Sequence, residues 1–157
     1  MVPYQWKGLS SSALKVIALV SMTVDHIAYY LMEHGTWTYD IMRTVGRMAF
    51  PIFAFLLVEG YGHTRSTRKY ALNLLAFALI SEIPWWLLNH DNTHNVFFTL
   101  LLGLMAIDLI TRIGNKPLLW CVIMASICAN ATWLHADYDY SGILLICAFH
   151  FFQPDKV

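Results

Sequence analysis

Charged residues are scarce in this chain of 157 residues, which has 13% Asp, Glu, Lys and Arg against 58% hydrophobic residues. Soluble domains carry about 25% charged residues, so the composition excludes an ordinary soluble globular protein. The mean hydropathy is +0.53, and lipid is therefore the predicted solvent for most of the chain. The formal net charge is zero, which gives no indication of a nucleic-acid partner.

Cysteine is equally sparse, with Cys121, Cys128 and Cys147 as its only occurrences. They lie in apolar runs without the paired spacing of a metal site, and we interpret them as small buried hydrophobic residues. The histidines show no HExxH-type spacing, so no metal is predicted. The first apolar run lacks a small-residue cleavage site after it and is interpreted as a retained helix rather than a signal peptide.

Long apolar runs dominate what remains. A membrane-crossing helix needs roughly 20 mostly apolar residues; five runs meet or approach this length, and a sixth has only about 12. Barrel strands would alternate with a period of two, whereas these runs are continuously apolar. We therefore predict an all-α polytopic membrane bundle, a single transmembrane domain over residues 1–157. The six predicted spans are 13–32, 44–62, 69–89, 95–113, 117–134 and 141–152.

The distribution of charge between the spans predicts their orientation. Basic residues occupy the segments before the first span, after the second and fourth, and after the last: Lys7, Lys15, Arg65, Arg68, Lys69, Arg112, Lys116 and Lys156. Acidic residues occupy the intervening connections: Glu33, Asp40, Asp91, Asp137 and Asp139. This alternation predicts six crossings with both ends in the cytoplasm. Within the fourth span, a stripe of small residues, Thr99, Gly103 and Ala106, predicts close helix packing.

Ionisable residues inside the predicted spans are the main functional signal, because a charge at the bilayer centre costs about 2.5–3.5 kcal/mol. Six residues fall toward the non-cytoplasmic side, where the antiparallel order could gather them around one cavity: Asp25, His26, Arg47, Glu82, His94 and Asn95. A histidine near a carboxylate can act as a general base. Arg47 either neutralises Asp25 or Glu82, or holds an anion or a developing oxyanion; the residues alone leave both roles open.

A second set of ionisable residues lies toward the cytoplasm. Glu59 and His63 are four apart and share a helix face. The cluster of Arg65, Arg68 and Lys69 has two interpretations: a topology signal, or a binding surface for a phosphate-bearing donor or anionic lipid head groups. The histidines in the outer connections, which are His34, His90, His94 and His135, are interpreted as solvated.

Several motifs together resemble the TraX family of bacterial membrane proteins. They are DH in the first span, GRMAFPIFAFLLVEGYGHT in the second, LISEIP in the third, and HNVFFTLLLG and ADYDYSGILLI further on. The likeness extends from Leu14 to Ile146 and covers nearly the whole chain. Many relatives are longer, with further helices after the ADYD-type motif.

The resemblance implies an activity and a set of site residues. It implies a multi-pass protein of the bacterial inner membrane that transfers acetyl from cytoplasmic acetyl-CoA to an amine or hydroxyl acceptor, such as a pilin N-terminus or an envelope molecule. His26 would be the base, oriented by Asp25, and Arg47 and Glu82 would shape the transfer site. The basic cluster of Arg65, Arg68 and Lys69 would attract the donor's phosphates. Glu59 and His63 would complete the set of donor-binding residues.

Two other functions fit the same residues. Intramembrane Asp, Glu, His and Arg also build proton relays, so a proton-coupled transporter of small molecules is one alternative. The other is a non-enzymatic membrane assembly protein, in which the polar residues serve helix packing. Membrane lipids surround the chain in all three cases, and each is compatible with a homo-oligomer.

Overall fold

A computed structural model of the protein describes residues 9–89 and 93–153. These residues form seven α-helices and, within the described ranges, no β-strand beyond an isolated bridge between His94 and Ala136. The predicted all-α membrane bundle is confirmed. The helices are α1 (Ser11–Leu31), α2 (Trp37–Arg47), α3 (Ala49–His63), α4 (Thr67–Leu88), α5 (Val96–Ile113), α6 (Pro117–Trp133) and α7 (Asp139–Phe152).

Four helical segments are long and apolar enough to cross a membrane: α1, the pair α2–α3, α4 and α5. The pair extends from Trp37 to His63 and is broken only at Met48. The predicted start of this span at residue 44 was wrong, because Thr36 caps a helix that already begins at Trp37; its side chain accepts a hydrogen bond from the Tyr39 amide. Arg43 consequently lies within a helix rather than a connecting loop.

The last two helices are shorter, with 17 residues in α6 and 14 in α7. The sixth predicted span begins two residues earlier than expected, at Asp139, and still falls below the roughly 20 residues of a full crossing. The number of crossings and their orientation therefore stay predictions. Three residues used in the orientation argument, Lys7, Asp91 and Lys156, lie outside the described residues.

The chain divides into two compact units within α3, the first ending at Leu56 and the second beginning at Leu57. In unit 1, α1 packs against α2. The two backbones approach closely at Gly46, where an added Cβ atom would lie 2.7 Å from the Cα atom of Asp25. Such an approach needs a residue without a side chain. The prediction of a single transmembrane domain stays a prediction.

In unit 2, α5 is the central helix and packs against α4, α6 and α7. Seven of its residues are buried, and these include Thr99, Gly103 and Ala106, so the predicted packing role of the small-residue stripe is confirmed. Gly103 lies directly against the Ile146 side chain of α7. The interior of this unit is built from branched aliphatic side chains on both helices, among them Leu104, Ile107, Ile143 and Ile146.

The three cysteines differ in burial. Cys147 on α7 is buried and confirms its prediction, whereas Cys128 is half-buried and Cys121 is exposed. The prediction for Cys121 was wrong because an apolar run does not reveal which face of a helix meets lipid and which meets other helices. Both faces carry apolar residues when the surrounding solvent is hydrocarbon.

Candidate functional site

The predicted site residue Asp25 forms an ion pair within unit 1. Its Oδ2 atom accepts a hydrogen bond from Nη1 of Arg43, and the two side chains are only 21% and 22% exposed. The guanidinium carbon of Arg43 also lies 5.0 Å from the centre of the Tyr29 ring, within cation–π distance. The partner of Asp25 is thus Arg43, while Arg47 is exposed at the end of α2.

The second carboxylate oxygen of Asp25 faces a closed environment. Oδ1 is buried and has no hydrogen-bond partner within residues 9–89 and 93–153. Gly46 covers it, since a Cβ atom added there would lie 2.7 Å from Oδ1. An unpaired buried acceptor costs about 1–3 kcal/mol. Asp25 is therefore arranged to neutralise Arg43 and does not present an open carboxylate oxygen.

His26 is half-buried on α1, and its ring is held by its own helix. Nδ1 lies 2.7 Å from the carbonyl oxygen of Met22, one turn earlier. A carbonyl only accepts hydrogen bonds, so Nδ1 carries a proton, and in the neutral ring the lone pair lies on Nε2. The group that orients His26 is therefore the Met22 carbonyl, whereas the sequence-based interpretation gave this role to Asp25. The ring centre of Tyr30 lies 6.0 Å from that of His26.

Glu82 of α4 lies in unit 2 and takes part in a different arrangement. Its Oε1 atom accepts a hydrogen bond from Nδ1 of His94, and its Oε2 atom lies 2.6 Å from Nδ2 of Asn95. Both oxygens of the carboxylate are engaged. Nδ1 of His94 donates to the carboxylate, so in the neutral ring Nε2 is the nitrogen with a lone pair that can accept a proton. A carboxylate that holds Nδ1 of a histidine is the arrangement that fixes the tautomer of a general base.

Asn95 anchors this arrangement. Its side-chain amide is buried and donates both protons, one to Glu82 and one to the carbonyl oxygen of Ala78 at 2.8 Å. Its Oδ1 atom accepts the amide proton of Phe97 at 3.0 Å, which makes Asn95 the N-cap of α5. The sequence placed Asn95 at the start of this helix and at the depth of Glu82. The structure shows that this cap also donates a hydrogen bond to the Glu82 carboxylate.

Two loops meet beside His94. The amide of His94 donates to the carbonyl of His135 at 3.1 Å, and the amide of Asp137 donates to the carbonyl of His94 at the same distance. These bonds form the parallel bridge that joins the α4–α5 loop to the α6–α7 loop. A cavity of about 320 Å³ opens next to the bridge, and its lining residues are Glu82, Trp86, Thr93, His94, Trp133, Leu134 and His135.

The sequence placed His94 at the depth of Glu82 but interpreted it as a solvated loop residue, and the pairing of His94 with Glu82 was not predicted. His94 lies twelve residues after Glu82 and in a loop, where a histidine is ordinarily solvated. The signal that was present is its position directly before the capping Asn95, because a cap fixes the backbone next to it. The first three predicted site residues, Asp25, His26 and Arg47, lie in unit 1 and Glu82 in unit 2, so their convergence around one cavity stays a prediction.

The residues predicted to bind the donor lie at the junction of α3 and α4. Nδ1 of His63 lies 2.8 Å from the Glu59 carbonyl oxygen, which confirms that the two residues share a face. Ser66 caps α4 by accepting from the Lys69 amide at 3.4 Å. The three basic side chains Arg65, Arg68 and Lys69 are exposed. Exposed cations beside a helix N-terminus suit the phosphates of a donor such as acetyl-CoA.

A neighbouring acidic residue ties the ends of α3 and α5 together. Asp108 binds Nε of Arg112 at 2.7 Å and accepts from the Tyr61 hydroxyl at 3.4 Å. Arg112 is 67% exposed, so this ion pair contributes little to stability. Its geometric effect is to hold the Arg112 guanidinium beside Asp108 in the last turn of α5.

The fold and these sites define the class of protein. The described helices include four that can cross a membrane by length and composition, and ionisable side chains lie within them. The chain is therefore a polytopic helical membrane protein. The sequence profile of the TraX protein family matches residues 10–156, and the chain belongs to that family. No solved structure matches the chain.

Two relatives among the proteins compared are similar over large parts of the chain. A probable fimbrial assembly protein, FimC of Dichelobacter nodosus serogroup H1, is 31% identical over 94% of this chain and 64% of its own length. An uncharacterised protein of Rickettsia prowazekii is 31% identical over 66% of this chain and 38% of its own length. The chain thus spans less than two thirds of the length of either relative.

Proposed function

We propose that the protein is a membrane-embedded acyltransferase that moves acetyl from cytoplasmic acetyl-CoA to an amine or hydroxyl acceptor at or across the membrane. Membership of the TraX family and the activity implied by the family resemblance support this. The observation that carries it is the geometry of His26. This half-buried imidazole lies in a helix long enough to cross a membrane, and because Nδ1 donates to the Met22 carbonyl, Nε2 is the nitrogen that accepts a proton in the neutral ring.

The chemistry requires one base and one group that tolerates negative charge. In the transfer step, the acceptor's nitrogen or oxygen attacks the thioester carbon while Nε2 of His26 takes its proton. The resulting oxyanion collapses, the carbon–sulfur bond breaks, and the proton on His26 passes to the sulfur of CoA. A positioned general base contributes about 10²–10⁴-fold to such a step. Arg47, which is exposed at the end of α2, is the candidate for stabilising the oxyanion.

The donor would be held at the junction of α3 and α4. The cations Arg65, Arg68 and Lys69 would attract the phosphates of acetyl-CoA, and Glu59 with His63 would border the same surface. Exposed charge pairs are screened by salt over about 8 Å at physiological ionic strength. Donor affinity should therefore fall as the salt concentration rises.

The acceptor is assigned by class only. The relative named as a fimbrial assembly protein connects the family with pilus assembly, so a pilin N-terminus is one candidate acceptor and another envelope molecule is a second. The inner membrane of a bacterium is the corresponding location. Because the chain covers 64% of that relative, residues outside the shared part of the longer protein can contribute to its acceptor choice.

The proposal can be tested with purified protein in lipid nanodiscs and radiolabelled acetyl-CoA. A short peptide with a free N-terminus serves as the amine probe and methyl glucoside as the hydroxyl probe. His26→Asn keeps a donor near Met22 but removes Nε2, and it should lower transfer to the accepted probes about 10²–10⁴-fold. His34→Asn, an exposed histidine in the α1–α2 loop, is the matched control and should leave transfer unchanged.

Two outcomes would contradict the proposal. Full transfer by His26→Asn would remove His26 from the mechanism. Absence of transfer by the wild-type protein, combined with solute flux into liposomes that contain no acyl donor, would favour the proton-coupled transporter.

For the donor surface, replacing Arg65, Arg68 and Lys69 with Ala should raise KM for acetyl-CoA, whereas Lys116→Ala in the α5–α6 connection should not.

A further inference from the structure

The Glu82 carboxylate is held in place more completely than a surface carboxylate normally is. His94 binds one oxygen and the buried amide of Asn95 binds the other. Asn95 is itself fixed by the Ala78 carbonyl and the Phe97 amide, so only one orientation of its amide satisfies all its contacts. The position and charge of Glu82 are therefore defined before any ligand arrives.

His94 lies between the Glu82 carboxylate and the cavity, because its ring binds Glu82 through Nδ1 and lines the cavity. With Nδ1 occupied by Glu82, the ring can act only through Nε2, and the side chain is 38% exposed and lines the cavity. The Phe98 ring, centred 5.3 Å away, packs beside the imidazole. The backbone bonds to His135 and Asp137 fix the loop that carries it. The result is an oriented base with an accessible nitrogen.

The proton balance of acyl transfer shows why a second base is needed for one class of acceptor. Transfer to an ammonium group converts R–NH₃⁺ and the thioester into the amide, CoA–SH and one further proton. Nitrogen loses two protons, of which only one ends on sulfur. A hydroxyl acceptor loses one proton, which sulfur takes. An α-amino group has a pKa of about 7.7–8.0, so most of it is ammonium at pH 7 and must first be deprotonated.

We infer that Glu82 and His94 form a second proton-accepting site, at which Nε2 of His94 removes the first proton from a protonated amine that enters the cavity. His94 is the catalytic residue and Glu82 its positioning residue. The inference rests on the proposed acyltransferase function and deepens it, because it equips the protein for amine acceptors. The amine then attacks the thioester as a neutral nucleophile, and the proton on His94 passes to water at the open side of the cavity.

The lining of the cavity suits an ammonium group. Glu82 supplies a negative charge, and the indoles of Trp86 and Trp133 supply aromatic surface that attracts cations. Within the described part of the chain, the other titratable groups around His94 are His135, which also lines the cavity, and Asp137, which is joined to His94 through the backbone. The described lining contains no Lys or Arg that would repel the ammonium group.

A first experiment tests the site without any transfer assay. In protein labelled with ¹⁵N at histidine, the His94 ring should show a proton on Nδ1 and none on Nε2. Diethyl pyrocarbonate, which reacts with an unprotonated ring nitrogen, should modify His94 faster than His150, which is only 4% exposed. A protonated Nε2 with a bare Nδ1, or a His94 that resists the reagent as His150 does, would overturn the inference.

The second experiment uses the two acceptor probes with His94→Asn, which can still donate to Glu82 but lacks Nε2. Transfer to the amine probe should fall about 6- to 11-fold at pH 7, because only about a tenth to a sixth of an α-amino group is neutral there, while transfer to the hydroxyl probe stays unchanged. The defect should disappear near pH 9.5, where most of a free N-terminus is already neutral, about 1.5 units above its pKa. His34→Asn is again the control.

The outcomes separate the inference from the proposed function. An equal loss with both probes at all pH values would mean that His94 only supports the fold, and it would overturn the inference while acyl transfer stands. A wild-type protein that transfers to neither probe would overturn the proposed function and, with it, the role of His94 in transfer. The reaction of His94 with diethyl pyrocarbonate would still decide whether the cavity contains a basic nitrogen.

Discussion

Units 1 and 2 each place a carboxylate close to a histidine, yet they use the carboxylate differently. In unit 1, Asp25 binds Arg43, and the adjacent His26 is oriented by a backbone carbonyl. In unit 2, Glu82 binds His94 directly, although the two residues are twelve positions apart. Asp25 and His26 are neighbours on one helix, where successive side chains point about 100° apart, so they do not face each other. Glu82 and His94 can pair because the loop between α4 and α5 turns the chain back. Nearness in sequence is therefore a poor guide to a catalytic pair.

The largest expected effect concerns the anchor of the unit 2 pair. Asn95→Ala removes the N-cap of α5 and the side-chain donor to the Ala78 carbonyl, and it leaves Oε2 of Glu82 with only the Asn95 backbone amide at 3.5 Å. We expect a loss of about 3 kcal/mol in the free energy of unfolding, measured by chemical unfolding in detergent. Asn130→Ala is the control, since that side chain is exposed and bonds only to the Ser126 carbonyl. An equal effect of the two changes would contradict the anchoring role of Asn95.

The next effect concerns the unit 1 ion pair. Asp25→Asn leaves the largely buried guanidinium of Arg43 without its counter-charge and should lower the free energy of unfolding by about 2 kcal/mol. The loss is smaller than that for a fully buried ion pair because both side chains are partly exposed. Asp108→Asn, whose partner Arg112 is mostly exposed, should cost less than about 0.5 kcal/mol. The ¹⁵N signals of the His26 ring should report the same tautomer in Asp25→Asn as in the wild-type protein. A changed tautomer would show that Asp25 orients His26 after all.

A smaller effect is expected where α1 and α2 approach each other. Gly46→Ala places a methyl group against Asp25 and should cost about 1.5 kcal/mol, within the usual range for overpacking. Gly62→Ala on α3 meets no atom within 4 Å and should instead stabilise its helix by a few tenths to about 1 kcal/mol. Thermal unfolding of the two variants in the same detergent measures the difference. Opposite signs are the expected result, and a stabilised Gly46→Ala would refute the close approach.

The smallest effect separates the two arginines of α2. Arg43→Lys keeps the charge but loses the planar group that contacts both Asp25 and the Tyr29 ring, and it should cost about 1 kcal/mol. Arg47→Lys should not change stability, because Arg47 is exposed. If Arg47 stabilises an oxyanion, the same change should lower kcat for acetyl transfer without altering KM. Unchanged kinetics would leave Arg47 without a catalytic role.

The parts of the fold that follow from hydropathy were predictable. Apolar runs located the helices that correspond to α1, α4 and α5 within a few residues, because lipid-exposed backbone must form its hydrogen bonds within a helix. The start of α2 was missed, since the polar stretch around Asp40 was interpreted as a loop. The capping Thr36 and the helical spacing of Arg43, Gly46 and Arg47 were the available signals for a helix there.

The candidate site was predictable in its residue types and not in its pairs. The cost of burying charge singled out Asp25, His26 and Glu82, and each of them has a specific partner in the structure, while their predicted catalytic roles stay predictions. The identity of those partners depends on helix rotation and on how a loop folds back, and apolar periodicity carries no information on either when both faces of a helix are apolar. The pairing of His94 with Glu82 follows only from the structure, in which the α4–α5 loop packs against α4.

The shortness of α7 has a consequence for the lipid around it. Fourteen residues of helix span about 21 Å, against a hydrocarbon thickness of about 30 Å. If α7 crosses the membrane as predicted, the acyl chains beside it must compress, or its ends must draw head groups and water inward. Bilayers of short-chain phospholipid would then suit this protein better than thick, sterol-rich ones.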